Sequence, residues 1–81
     1  MSHAALAPNN QRANELTAII TAVAAAVPQY PIDKIISQGR DRYAAVAGKC
    51  TVIARIVGLP AKPWLVGPRQ FKVELDKPRC D

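Results

Sequence analysis

Apolar positions form one clear stripe near the start of the chain. Leu16, Ile19, Ile20, Val23 and Val27 recur at i, i+3, i+4, i+7 and i+11, the spacing that lines one face of an α-helix. Asn9 or Asn10 can cap that helix, its side-chain oxygen accepting from a backbone N–H of the first turn, and Pro28 stops it. The pattern predicts a helix over about 10–27.

The stretch "PQYPIDKIISQG" that follows places Pro31 where the first turn of a helix tolerates it. Ile32, Ile35 and Ile36 form an apolar face, Asp33 complements the dipole of a first turn, and Gly39 suits a terminus with positive φ. This predicts a second, short helix over about 31–38.

From Asp41 the pattern reads two ways. As a helix over about 41–57, Tyr43, Val46, Ala47, Cys50, Ile53, Ala54 and Val57 share a face, Asp41 caps the start, and Gly58 and Pro60 end it. As a strand, "CTVIARIV" is rich in β-branched residues and of suitable length. Ala44, Ala45 and Ala47 weigh toward the helix. Beyond Gly58, Pro60, Pro63, Pro68 and Pro78 exclude another long helix. "RQFKVEL" alternates, with Phe71, Val73 and Leu75 on one side and Gln70, Lys72 and Glu74 on the other, which predicts a strand over about 69–75.

The fold class these elements predict is mainly α, a small helical domain with a short β-containing C-terminal segment. The alternative is α+β, with 50–57 pairing to 69–75. Residues 1–9 read as a flexible tail, 10–76 as one small basic domain and 77–81 as a C-terminal tail.

Composition narrows the function classes. A chain of 81 residues makes one small core, and aromatics at 5% favour close packing over a large enclosed active site. The only histidine, His3, lies in the tail, the serines are Ser2 and Ser37, and no carboxylate pair or glycine-rich phosphate cradle is present, so no enzyme and no cofactor are expected. Cys50 and Cys80 lack metal-ligand spacing; Cys50 reads as a small buried hydrophobe and Cys80 as a terminal thiol, a bridge between them requiring an oxidising compartment. The apolar run Leu16–Val27 is too short to span a bilayer, and with Glu15 beside it reads as part of a soluble, cytoplasmic protein with no membrane role.

Charge is the strongest functional signal. The net charge is +5, and between Lys34 and Lys72 eight basic residues face one acid, Asp41, for a local +7. Such clustering is the electrostatic footprint of nucleic-acid binding, since phosphate contacts release counterions. Arg40 and Arg42, just after Gly39, would project from a short turn and reach DNA phosphates or a narrow minor groove, with Lys49, Arg55, Lys62 and Arg69 extending the surface. Trp64, between two prolines, is either a core plug or a partner anchor, and with Phe71 and Lys72 it makes a candidate protein-binding segment. Tyr30 and Tyr43 would line the junction of the first and third helices.

The run "IITAVAAAVPQYPIDKIISQGRDRYAAVAGKCTVIARIVG" resembles the first half of the DNA-binding domain of the bacterial replication initiator DnaA and its phage and mobile-element relatives, a helix-turn-helix domain of Trp-repressor-like type. Ile35-Ile36-Ser37 matches the end of the family's short helix, Arg40-Asp41-Arg42 its basic loop and Ala44–Val57 its long alanine-rich helix. The resemblance implies that Arg40 and Arg42 contact DNA backbone or minor groove. The family's recognition helix has no counterpart in "PRQFKVELDKPRCD".

Three function classes follow. The first is a small DNA-binding protein acting through Arg40 and Arg42. The second is a phage or mobile-element interaction protein that inhibits a host nucleic-acid-handling machine. The third is a self-associating subunit, a homodimer paired through 69–75.

Overall fold

In the computed structural model, which describes residues 8–60 and 70–81, one helix lies on one face of a five-stranded antiparallel sheet. The helix α1 spans Pro8–Ala26. Strands follow as β1 Ile32–Ser37, β2 Arg42–Ala47, β3 Cys50–Gly58, β4 Phe71–Leu75 and β5 Arg79–Cys80. The order across the sheet is β1-β2-β3-β4, and β5 pairs with β3 beside β4. This overturns the mainly α class: the helices expected over 31–38 and 41–57 are strands, and the pairing of 50–57 with 69–75 is present as β3 against β4.

Helix α1 follows its stripe. Ile19 and Val23, four residues apart, are fully buried, with Leu16 packed against them and Val27 buried just beyond the helix; Ile20 turns outward at 46% exposure. Pro8 opens the helix, where its missing N–H costs nothing, and the Val27 N–H donates to Val23 O before Pro28. Glu15 is buried but satisfied, its Oε2 accepting from Gln11 Nε2 at 3.1 Å and its Oε1 lying 3.9 Å from Arg12 Nε.

The spacing in 31–38 misled because β1 carries an irregularity. Ile32 pairs with Ala47 and Lys34 with Val46, so two residues of β1 advance while β2 advances one. That bulge lets Ile32 and Ile35, three apart, both pack against the core, imitating a helical period inside a strand. Asp33, at the bulge, accepts from the Gly48 N–H at 3.1 Å instead of opening a helix.

In β2 and β3 the core takes every second residue. Tyr43, Ala45 and Ala47 stand opposite Ala54, Val52 and Cys50, and all six are buried. Val46, Ile53 and Val57, expected to share their face, lie on the other side of the sheet. Tyr43 therefore packs between α1 and β2, with the Arg12 guanidinium 5.6 Å from its ring centre, while Tyr30 packs over the β2–β3 turn. In β4, Phe71, Val73 and Leu75 pack toward the core, as the alternation predicts.

Burial raises the pKa of the Tyr43 phenol above its ordinary 10.0, with nearby Glu15 and Asp41 adding to the rise and Arg12 opposing it. The folded chain thus keeps this proton to a higher pH than the unfolded chain. Its contribution to stability is full below about pH 10 and is lost as pH rises through the folded value. Denaturant titrations between pH 9 and 12 should show that loss in the native chain and a shallower one in Tyr43→Phe.

The ends of the sheet are set by two turns. Gln38–Asp41 joins β1 to β2, with Gly39 at φ 122° and Asp41 at φ 57°, a left-handed conformation that a short aspartate tolerates better than most residues. Gly48 and Lys49 make a two-residue turn between β2 and β3, with Gly48 at φ 59°. Gly39 has the positive φ expected of it, in a hairpin rather than at a helix end.

The carboxyl-terminal residues 77–81, expected as a tail, carry β5. Cys80 pairs with Cys50 and Arg79 with Thr51, the Asp81 N–H donates to Lys49 O at 3.1 Å, and a Cys50–Cys80 disulfide closes the pair. The two cysteines are thus not the separate thiols expected: Cys50 is buried as predicted, but bridged. Among the described residues, no helix is long and apolar enough to cross a membrane.

Candidate functional site

Helix α1 covers one face of the sheet, and the basic residues collect on the other. The strand registers place Lys34 and Ile36 of β1, Arg42, Ala44 and Val46 of β2, Thr51, Ile53, Arg55 and Val57 of β3, Lys72 and Glu74 of β4 and Arg79 of β5 on this open face. A concavity of about 480 Å³ runs along it, lined by Arg42, Lys49, Thr51, Ile53, Asp76, Lys77, Arg79 and Asp81.

Its electrostatics divide into a neutralised part and a cationic part. Arg42 and Arg55 stand directly opposite each other on β2 and β3, a like-charge pair that disfavours the sheet. Both receive a compensating partner. Arg55 Nη1 lies 2.7 Å from Asp76 Oδ1, and Asp76 is fixed by its own N–H donating to Ile53 O at 2.9 Å. Arg42 Nε donates to the neutral Gln38 Oε1 at 3.1 Å and keeps its full charge. On β4, Lys72 Nζ is 3.4 Å from Glu74 Oε2. These exposed pairs stabilise little, but they cancel the field at Arg55 and Lys72. Among the described residues, no ion pair holds Arg42, Lys49, Lys77 or Arg79, and these four cations ring Thr51 and Ile53 with Asp81 as the remaining carboxylate.

The expected site residues are therefore only partly brought together. Arg42 and Lys49 line one concavity, at the start of β2 and in the β2–β3 turn. Arg40 is exposed in the β1–β2 turn beside Arg42, and Arg55 is spent on Asp76. Of the candidate partner-binding residues, Phe71 packs half-buried on the core side and Lys72 is exposed. Lys62, Trp64 and Arg69 lie outside the described residues. Lys77 and Arg79 were absent from the sequence reading because 77–81 looked like a tail; the signal that finds them is Cys80, whose pairing with Cys50 sets Arg79 opposite Thr51.

Nothing in this arrangement resembles a catalytic constellation. Among the described residues, the concavity offers two carboxylates, of which Asp76 is already engaged, and Thr51, with no histidine or thiolate beside it. What it can do is hold an anion against converging cations, with Ile53 as an apolar floor.

Of the run that carries the likeness to the DnaA domain, residues 19–26 lie in α1, whereas Ile35-Ile36-Ser37, Arg40-Asp41-Arg42 and Ala44–Val57 lie in β1, the β1–β2 turn, β2 and β3 rather than in helices. No family model matches the chain, and no curated protein and no solved structure matches it.

Proposed function

We propose that this chain is a non-enzymatic DNA-binding protein that takes the phosphate backbone against the open face of its sheet. Arg42, Lys49, Lys77 and Arg79 supply the contacts, and Arg40 extends them at the hairpin end. One observation carries the reading: four cations with no ion-pair partner among the described residues line one concavity, while Arg55 and Lys72 of the same face are ion-paired. Cations left unpaired at close range repel one another, a cost a fold meets most simply when a polyanion supplies the missing charge. Of the two arginines expected to contact DNA, Arg42 lines the concavity and Arg40 is exposed in the β1–β2 turn two residues before it.

Binding of this kind is backbone-directed and indifferent to base sequence. Titration of a fluorescent duplex at several salt concentrations should give an affinity falling steeply with salt. Arg42→Gln with Lys49→Gln should reduce the magnitude of the log–log salt slope by about 2 and weaken binding about tenfold near 0.1 M salt, since each duplex phosphate contact contributes about 0.9 to the slope. An unchanged slope in that double variant would remove the proposal.

A further inference from the structure

Two of the four cations in the concavity come from residues that one covalent bond holds in place. Lys77 lies between β4 and β5, and Arg79 is in β5, a strand of two residues. Two residues of pairing, Cys50 with Cys80 and Thr51 with Arg79, are too few to hold the segment after β4 against its own conformational entropy. What anchors them is the Cys50–Cys80 disulfide, with the Asp81 N–H to Lys49 O contact beyond it.

We infer that Lys77 and Arg79 are ligand-binding residues and that the Cys50–Cys80 disulfide completes the anion site, so that the oxidised protein binds with the full set of contacts and the reduced protein with about half of them. This rests on the polyanion reading of the open face. The chemistry is direct. Cys80 is exposed whereas Cys50 is fully buried, which makes the Cys80 sulfur the accessible point of attack. One thiolate of a dithiol reductant bonds to the Cys80 sulfur, and the S–S bond breaks with its electron pair going to the Cys50 sulfur, which takes a proton. The reductant's second thiol then displaces Cys80 as a thiol. Two electrons and two protons pass to the protein, and the dithiol becomes a cyclic disulfide.

The consequences differ for the two halves of the site. Arg42 and Lys49 sit on β2 and in its turn to β3, held by the β2–β3 ladder from Arg42–Arg55 to Ala47–Cys50, and the Asp81 N–H to Lys49 O bond is the contact this turn would lose with residues 76–81. Reduction therefore removes the Lys77 and Arg79 wall and leaves the Arg42 and Lys49 wall standing. The reduced chain should keep a residual, weaker affinity with the salt dependence of about two contacts instead of four.

The test uses the whole chain and a fluorescent 20-base-pair duplex as probe. Oxidised protein, protein reduced with dithiothreitol, and oxidised Lys77→Gln/Arg79→Gln are compared, with circular dichroism following the fold. The expected result is a salt slope smaller by about 2 in both the reduced protein and the oxidised double variant, with affinity about tenfold lower in each. Should the reduced protein unfold, the double variant, which keeps the bridge, decides alone. An oxidised double variant that binds like the native chain overturns the inference, as does a folded, reduced protein of undiminished affinity. Failure of the oxidised native chain to bind the duplex at low salt is a different outcome: it sinks the DNA-binding proposal itself, and this inference with it.

Discussion

Replacing Cys50 and Cys80 together by alanine should lower the free energy of unfolding by about 3–4 kcal/mol. The bridge joins residues 30 apart in sequence, and a loop of that size in the unfolded chain loses roughly 3.6 kcal/mol of conformational freedom at 25 °C when closed. Alanine is chosen because Cys50 is fully buried, and a serine hydroxyl there would add the separate cost of an unpaired polar group. For a domain of 81 residues, whose total stability is on the order of 5–10 kcal/mol, the loss is a large share. Urea titrations of the native and double-alanine chains measure it. A difference below about 1 kcal/mol would mean that 77–81 contributes no constraint on the unfolded chain.

The second large effect is expected at Gly48. A Cβ added there would lie 2.5 Å from Cγ and Cδ1 of the Tyr30 ring, inside any tolerable contact, and the backbone at φ 59° adds left-handed strain. Tyr30 is half-buried against the core, and its own Cβ would lie only 3.0 Å from the added atom, so turning the ring alone does not clear the contact. Gly48→Ala should therefore cost about 2–3 kcal/mol, of which roughly 1 kcal/mol is backbone strain and the rest the collision. A double-mutant cycle separates the two. In a Tyr30→Ala background the cost of Gly48→Ala should fall to about 1 kcal/mol, the strain alone. Identical costs in both backgrounds would place the whole penalty in the backbone and exclude the collision.

Much of this fold was hidden from periodicity for identifiable reasons. Helix α1 was legible because Leu16, Ile19, Val23 and Val27 recur at helical spacing, the signal periodicity detects, and all four pack in the core. β4 was legible for the matching reason, since Lys72 and Glu74 alternate with Phe71, Val73 and Leu75. β2 and β3 were not, because both of their faces are apolar: Ala44, Val46, Ile53 and Val57 on the open side leave no alternation to read. β1 was lost to its bulge. Alanine's helical propensity then tipped the ambiguous stretch the wrong way, although in the sheet two of those alanines, Ala45 and Ala47, supply small side chains to the core that α1 covers.

The candidate site was legible in charge and illegible in geometry. The excess of cations between Lys34 and Lys72 is visible in the sequence, but which of them are cancelled depends on Asp76 meeting Arg55 and Glu74 meeting Lys72. Asp76 and Arg55 are 21 positions apart and meet only because β3 and β4 pair in the register that sets Ala54 against Leu75. Lys77 and Arg79 join the site through a bridge that the spacing of two cysteines alone does not reveal.

Because α1 covers only one side, the sheet acts as a partition between two sets of positions under separate demands. In β2 and β3, residues 43, 45, 47, 50, 52 and 54 answer to packing under α1, and residues 42, 46, 51, 53 and 55 answer to the opposite surface, where Ala44 is itself buried. The surface can therefore drift, or be redesigned, along one set while the other preserves the architecture unchanged.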